Sequence, residues 1–186
     1  MDEAAVSAQF VEVFSERFHL YPQCWLKPPV AGKNLRIDFI GFDKHEQIQG
    51  PIGFEIKDPA GWEQQYNVFT KSLAQAMDYQ ACLIDTEFTH ADHKPWYHQR
   101  LRYTFIHHVD PIWAYNERRS ELNSSNAWFA GGGLRLAGCF GVGATCFDAK
   151  DGWVLTLATH AAFKLSSGPT PLLLKHNVSN RQGSAR

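Results

Sequence analysis

Long apolar runs are missing from this chain. None approaches the roughly 20 residues that a membrane-spanning helix requires, and the opening MDEAAVSAQF is acidic rather than signal-like. The expected location is therefore cytoplasmic. Cysteine is scarce. The four (Cys24, Cys82, Cys139 and Cys146) are scattered with no CxxC pair, which argues against a disulfide framework or a zinc site and reads as reduced core residues. Net charge is nearly absent as well. Eighteen Lys and Arg against nineteen Asp and Glu leave −1, so the chain has no global pull on nucleic acid. Any such binding must use a local basic surface or a metal. Internal repeats and low-complexity tracts are also lacking. What the chain does have is core-forming material: 44% hydrophobic and 13% aromatic residues over 186 positions. That excludes general disorder and suffices for one domain with a real core. The expected domain is 1–165, with 166–186 a tail that frays.

Phe10, Val13, Phe14 and Phe18 recur at helical spacing, with Gln9, Glu12 and Glu16 on another face. This predicts a helix over 2–19, ended by Tyr21-Pro22. Gln23 to Lys27 is a candidate short strand. Residues 35–42, LRIDFIGF, are β-branched and aromatic and predict a strand. DKHEQIQG turns the chain, and IGFEIK, 52–57, returns as the second strand of a hairpin, stopped by Asp58-Pro59. Trp62 to about Tyr79 has few breakers and predicts a helix. ACLID, 81–85, reads as a buried strand, and YTFIHHV, 103–109, as another. The His-, Trp- and Tyr-rich stretch 87–102 has no assignable period. NERRSELNSSN reads as a short helix or loop, and AGGG, 130–133, as punctuation. LRLAGCF, GATCFDA and WVLTLAT read as strands, the last two joined by a turn at Lys150-Asp151-Gly152.

The hairpin poses a chemical problem. Asp38 sits inside one apolar strand, and Glu55 and Lys57 inside the next. Alternation puts Glu55 and Lys57 on one face, with Phe54 and Ile56 on the other. A reasonable register brings Asp38 beside Glu55. Two carboxylates in an apolar setting cannot both stay ionised unless something balances them. A divalent cation would, since Mg²⁺ favours hard oxygen ligands and keeps waters for a phosphate to displace. Lys57 would then stand where a nucleophilic water or a scissile phosphate arrives.

The order Asp38, then Glu55-Ile56-Lys57 on the following strand, resembles the D…(D/E)xK core of the PD-(D/E)XK nuclease superfamily. Gln75-Ala76-Met77-Asp78-Tyr79 then resembles the QxxxY motif of its RecB-like and lambda-exonuclease-like branch. Gln75 and Tyr79, four apart, share a helix face. Ile37 stands where the family often carries proline. The resemblance covers roughly residues 5–86. It implies an α/β fold with a restriction-endonuclease-like core: a mixed β-sheet flanked by helices, here with a C-terminal β-hairpin extension. It implies Mg²⁺ or Mn²⁺ as cofactor, held by Asp38, Glu55 and the Ile56 carbonyl. It makes Lys57 catalytic and turns Gln75 and Tyr79 toward the site. Glu12 or Glu16 would supply a further acid from the first helix. The expected function is a metal-dependent deoxyribonuclease that hydrolyses phosphodiester bonds by metal-activated water, with DNA as partner. Whether it acts as an endonuclease or an exonuclease stays open.

Other features compete. The three charges could be a solvated hairpin face with a weak ion pair. The chain could be an inactive nuclease-fold module that binds nucleic acid or a protein, or a nuclease directed at RNA. His90 and His93, and His107-His108, fit no zinc-ligand spacing well. AGGG and GVG lack the GK[ST] of a phosphate loop and read as turns. Arg100 and Arg102, with Arg118-Arg119, are a candidate backbone-contact surface or plain solvated surface.

Overall fold

Apolar residues on both faces of the central strands need cover from both sides, and two helices provide it. The computed structural model describes residues 3–57, 66–107, 136–148, 152–157 and 163–166. In chain order these form α1 (Glu3–Phe14), β1 (Phe18–Lys27), β2 (Leu35–Asp43), β3 (Ile52–Ile56), α2 (Tyr66–Ala81), β4 (Leu83–Ile84), a 3₁₀ turn (Ala91–Trp96), β5 (Tyr103–His107), β6 (Val142–Asp148), β7 (Gly152–Leu157) and β8 (Phe163–Ser166). The eight strands make one mixed sheet in the order β4-β1-β2-β3-β5-β6-β7-β8. β3–β5 and β5–β6 run parallel, and the remaining pairs are antiparallel. No helix among the described residues is long and apolar enough to cross a membrane.

α1 buries Val6, Phe10 and Phe14 against Phe39, Phe54, Phe105 and Trp153. On the other face, Tyr79 of α2 joins Ile40 and Phe42, while Leu73 and Ala76 pack on Ile106, Val142 and Ala144. Phe39 and Ile40, or Phe105 and Ile106, are neighbours in sequence but face opposite layers, as strand alternation demands. β3 is central, and all five of its residues are buried. Gly41 lets the rings close up. A Cβ there would lie 2.8 Å from Phe54 Cε2, and Phe54 is locked among Phe10, Phe14 and Phe18. Gly41→Ala is therefore expected to destabilise by about 1–3 kcal/mol through overpacking, read as a lower urea midpoint with an unchanged m-value.

Several expectations need correcting. The first helix ends at Phe14, and Phe18 already belongs to β1. Tyr21-Pro22 thus lies inside a strand rather than ending a helix. Among the described residues β4 flanks β1 only at Leu26 and Lys27, which leaves Pro22 on an edge where a missing N–H is tolerated. The described part of LRLAGCF, residues 136–140, is not a strand. Residues 136–138 are helical, and Cys139, Phe140 and Gly141 donate back to Leu136, Ala137 and Gly138 in turn-like bonds. ACLID contributes only Leu83–Ile84 as strand. The β6–β7 hairpin is present, but β6 pairs with β5 and so belongs to the main sheet. Cys24 and Cys82 are buried as expected, and burial pushes the Cys24 thiol up to about 11; Cys139 is exposed. Asp58-Pro59, residues 62–65 of the predicted helix, NERRSELNSSN, AGGG, Lys150-Asp151 and the tail beyond Ser166 lie outside the described residues.

Candidate active site

The site begins where two strands part. β2 and β3 pair at Gly41↔Ile52, Ile40↔Gly53 and Phe39↔Phe54, and one more step would bring Asp38 opposite Glu55. There a side chain takes over from the backbone: Asp38 Oδ2 accepts the Ile56 amide at 2.8 Å. The local twist is visible in the packing. Ile37 and Phe39 would share a face in a regular strand, yet Ile37 packs with Ile40 and Phe39 with Phe54. Across β2, Gln23 adopts a left-handed backbone with φ 51° and aims its amide at Asp38 Oδ1, 3.4 Å away.

Glu55 points from β3 toward α2 and is only 4% exposed. Its Oε1 lies 2.6 Å from Lys57 Nζ. Lys57 follows β3 directly, and its own amide donates to His107 O at 3.1 Å, which ties the lysine backbone to β5. Nζ also donates to Gln75 Oε1 at 3.2 Å. Gln75 Nε2 in turn donates to the Tyr79 hydroxyl, one helical turn along α2. That hydroxyl lies 3.0 Å from Arg36 O and 3.1 Å from Glu55 Oε2. It has one proton, so it donates to one acceptor at a time. Asp38, Glu55, Lys57, Gln75 and Tyr79, drawn from β2, β3 and α2, are thus brought into one polar cluster.

Burial first, and the nearby Asp38 charge second, push the Glu55 carboxyl above its ordinary 4.5; the Lys57 ammonium and hydrogen bonds from Lys57 and Tyr79 oppose this. Burial and the Glu55 charge also push the Tyr79 hydroxyl up, keeping it protonated. The sign for stability follows from proton counting. Above pH 4.5 the unfolded chain has released a proton that folded Glu55 still holds, so stability falls as pH rises toward the folded value. Urea titrations in chelator are expected to show that decline, and Glu55→Gln is expected to remove it. A decline unchanged by the substitution would assign the effect elsewhere.

The side-chain donors that the cluster offers a cation are the Asp38 and Glu55 carboxylates. Among the described residues no group of three or more His, Cys, Asp or Glu side chains is placed to hold a metal ion. Mg²⁺ does not demand one, because it commonly binds through one or two carboxylates and retains waters. Two adjacent acids, one buried and resisting ionisation, fit such an ion. Neither helix acid joins them. Glu12 and Glu16 are both exposed, and Glu16 lies past the end of α1.

Two arrangements escaped the sequence. His19 of β1 meets His90 and His93, with ring centroids 4.7–5.3 Å apart. His93 is stacked on Phe42, and its Nδ1 lies 2.8 Å from the Tyr21 hydroxyl. The partner is some seventy positions away in the chain, and the spacing within HADH does not reveal it. His107 is buried against Phe10 and Phe14; His108 lies outside the described residues. Asp43, read as the start of a polar turn, is instead buried and paired with Arg17. Arg100 and Arg102 are exposed, while Arg118-Arg119 lie outside the described residues.

The chain matches no protein-family model, no curated protein and no solved structure.

Proposed function

We propose that this chain is a metal-dependent deoxyribonuclease of the PD-(D/E)XK type, with a restriction-endonuclease-like core running from α1 to β5. One observation carries the reading: Lys57 Nζ lies between buried Glu55 and Gln75, just past a strand whose Ile56 amide is held by Asp38. An isolated surface ion pair would need neither the burial nor the second and third partners.

Mg²⁺ or Mn²⁺, held by Asp38, Glu55 and the Ile56 carbonyl, would supply Lewis-acid polarisation of the phosphate and a water acidic enough to attack at neutral pH. The chain's own groups do the rest. Asp38 spans the parted strands and fixes the Ile56 backbone, and with it the direction of Glu55 and Lys57. The Lys57 ammonium offsets negative charge that builds on the phosphoryl oxygens. Gln75 keeps Nζ in place, and Tyr79 holds one Glu55 oxygen while remaining a neutral donor. The test is cleavage of linear and covalently closed DNA with Mg²⁺ or Mn²⁺, with RNA in parallel. Cleavage is expected and chelator is expected to stop it; activity that survives chelation would overturn the reading. Cutting of closed circles separates endonuclease from exonuclease.

The 2.6 Å contact between Lys57 and Glu55 also favours a second reading, an inactive nuclease-fold module in which the lysine alone balances the acid. Calorimetric titration with Mn²⁺ distinguishes the two, since that module gives no binding heat at this site.

A further inference from the structure

A recess of about 580 Å³ shares no lining residue with the acid cluster. Its volume lies within the roughly 300–1,000 Å³ typical of small-molecule sites. Arg100 and Arg102 are among the residues that line it, and no carboxylate is found among the described lining residues. In a chain whose acids and bases nearly balance, that local excess selects an anion. Arg is suited to phosphate because its planar fork presents paired N–H donors.

The remaining walls say which anion. Trp96, Leu83 and Leu101 give the recess apolar wall, and Gln49 and Gln99 add amide donors and acceptors. The indole is held in place. Gly50, at φ 89°, presses against it so closely that a Cβ would lie 2.9 Å from Trp96 Cη2. The backbone around the recess is pinned as well. Arg102 N–H donates to Pro51 O at 2.7 Å, Ile84 N–H to Gln99 O at 2.8 Å, His98 N–H to Ile84 O at 2.9 Å and Gln99 N–H to Trp96 O at 3.0 Å. Arg100 bridges Leu83, and the Arg102 guanidinium lies 5.6 Å from the Tyr103 ring centroid. A site already shaped loses little on ordering when a ligand enters. An aromatic and aliphatic wall, amides for heteroatom edges and two arginines together suit a base joined to a phosphate.

We propose that this pocket binds a phosphorylated nucleoside, either a free nucleotide or one unit of a polynucleotide. The proposal does not depend on the acid cluster being catalytic. The test is calorimetry on the full chain in chelator, with the four nucleoside 5′-monophosphates, the nucleosides, inorganic phosphate and a 5′-phosphorylated oligonucleotide as probes. At least one monophosphate is expected to bind. Its nucleoside and phosphate alone should each bind about tenfold more weakly or worse, since each lacks one half of the recognised group. Arg100→Glu and Arg102→Glu are expected to weaken the monophosphate by at least about tenfold each. Both side chains are exposed, and circular dichroism checks that the variants stay folded. Glu55→Gln is expected to leave binding unchanged, which separates this site from the proposed nuclease centre. Tighter binding of the oligonucleotide than of the monophosphate, with the excess lost in Arg100→Glu and Arg102→Glu, assigns the ligand to a polynucleotide, and the reverse to a free nucleotide. Absence of heat with every probe overturns the proposal. So does monophosphate binding that both arginine variants retain, or phosphate binding as tight as the monophosphate.

Discussion

Lys57→Ala is expected to slow DNA cleavage by about 10²- to 10³-fold while leaving Mn²⁺ binding in place, the loss usual for removing one preorganised charge from a reacting centre. Glu55→Gln is expected to abolish both cleavage and the Mn²⁺ binding heat, because it removes a ligand oxygen's charge and not merely a neighbour. The two variants therefore fail in different ways, and the difference is the content of the assignment. Lys57 has a second effect to separate out. Its ammonium is the main group that favours the charged form of Glu55, so losing it should drive that carboxyl further up. At low pH the alanine variant then suffers twice, from lost transition-state stabilisation and from a protonated ligand. Measured across pH, its deficit should shrink as pH rises but level off well below wild type. Cleavage that is undiminished in both variants would reject the site. A deficit in Lys57→Ala that vanishes completely at high pH would reduce the lysine to a positioning residue for Glu55.

The hairpin was readable in the sequence because charge and period conflict there. LRIDFIGF and IGFEIK have too much aliphatic and aromatic surface to be anything but strands, so an acid inside each stands out. A reasonable register across the long polar connection DKHEQIQG can bring the two acids together. Gln75 and Tyr79 stand out only through the resemblance to QxxxY; their four-residue spacing then puts them on one helix face. The sequence did not reveal the parting of β2 and β3 at Asp38, since that depends on a side chain replacing a backbone acceptor. Phe10, Phe14 and Phe18 continue the helical spacing by coincidence and so extend the expected first helix too far; Phe18 reaches the same cluster from a strand. LRLAGCF reads as a strand by composition, yet tertiary context folds 136–138 into a helical turn. The histidine group depends on His19, distant in the chain from His90 and His93, and the recess joins Gln49 and Leu83 to the stretch 96–102, so no local pattern encodes either.

Asp43→Ala is expected to be the most destabilising substitution at a polar position in the hairpin, at about 3–5 kcal/mol. The Asp43 side chain is fully buried at the end of β2, with Oδ1 2.7 Å from Arg17 Nε and Oδ2 accepting Arg17 Nη2 at 2.8 Å. Its oxygens also accept the His45 and Ile48 amides, each at 3.0 Å. One carboxylate thus anchors the segment that joins α1 to β1 and shapes the connection from β2 to β3. Removing it leaves a nearly buried guanidinium without its partner and two amides without acceptors, and the unpaired charge is the larger loss. For a chain of this size each kcal/mol moves the melting temperature by roughly 2–4 °C, so a drop of about 10 °C is expected. Asp43→Asn keeps an oxygen for one amide but loses the charge that answers Arg17, and should fall between alanine and wild type. Exposed ion pairs weaken with added salt, whereas one this enclosed is screened little; the difference between wild type and Asp43→Ala should persist in high salt. A loss below about 1 kcal/mol, the range of exposed pairs, would show that Arg17 finds water or Gln47 as an adequate substitute and that the turn holds without its anchor.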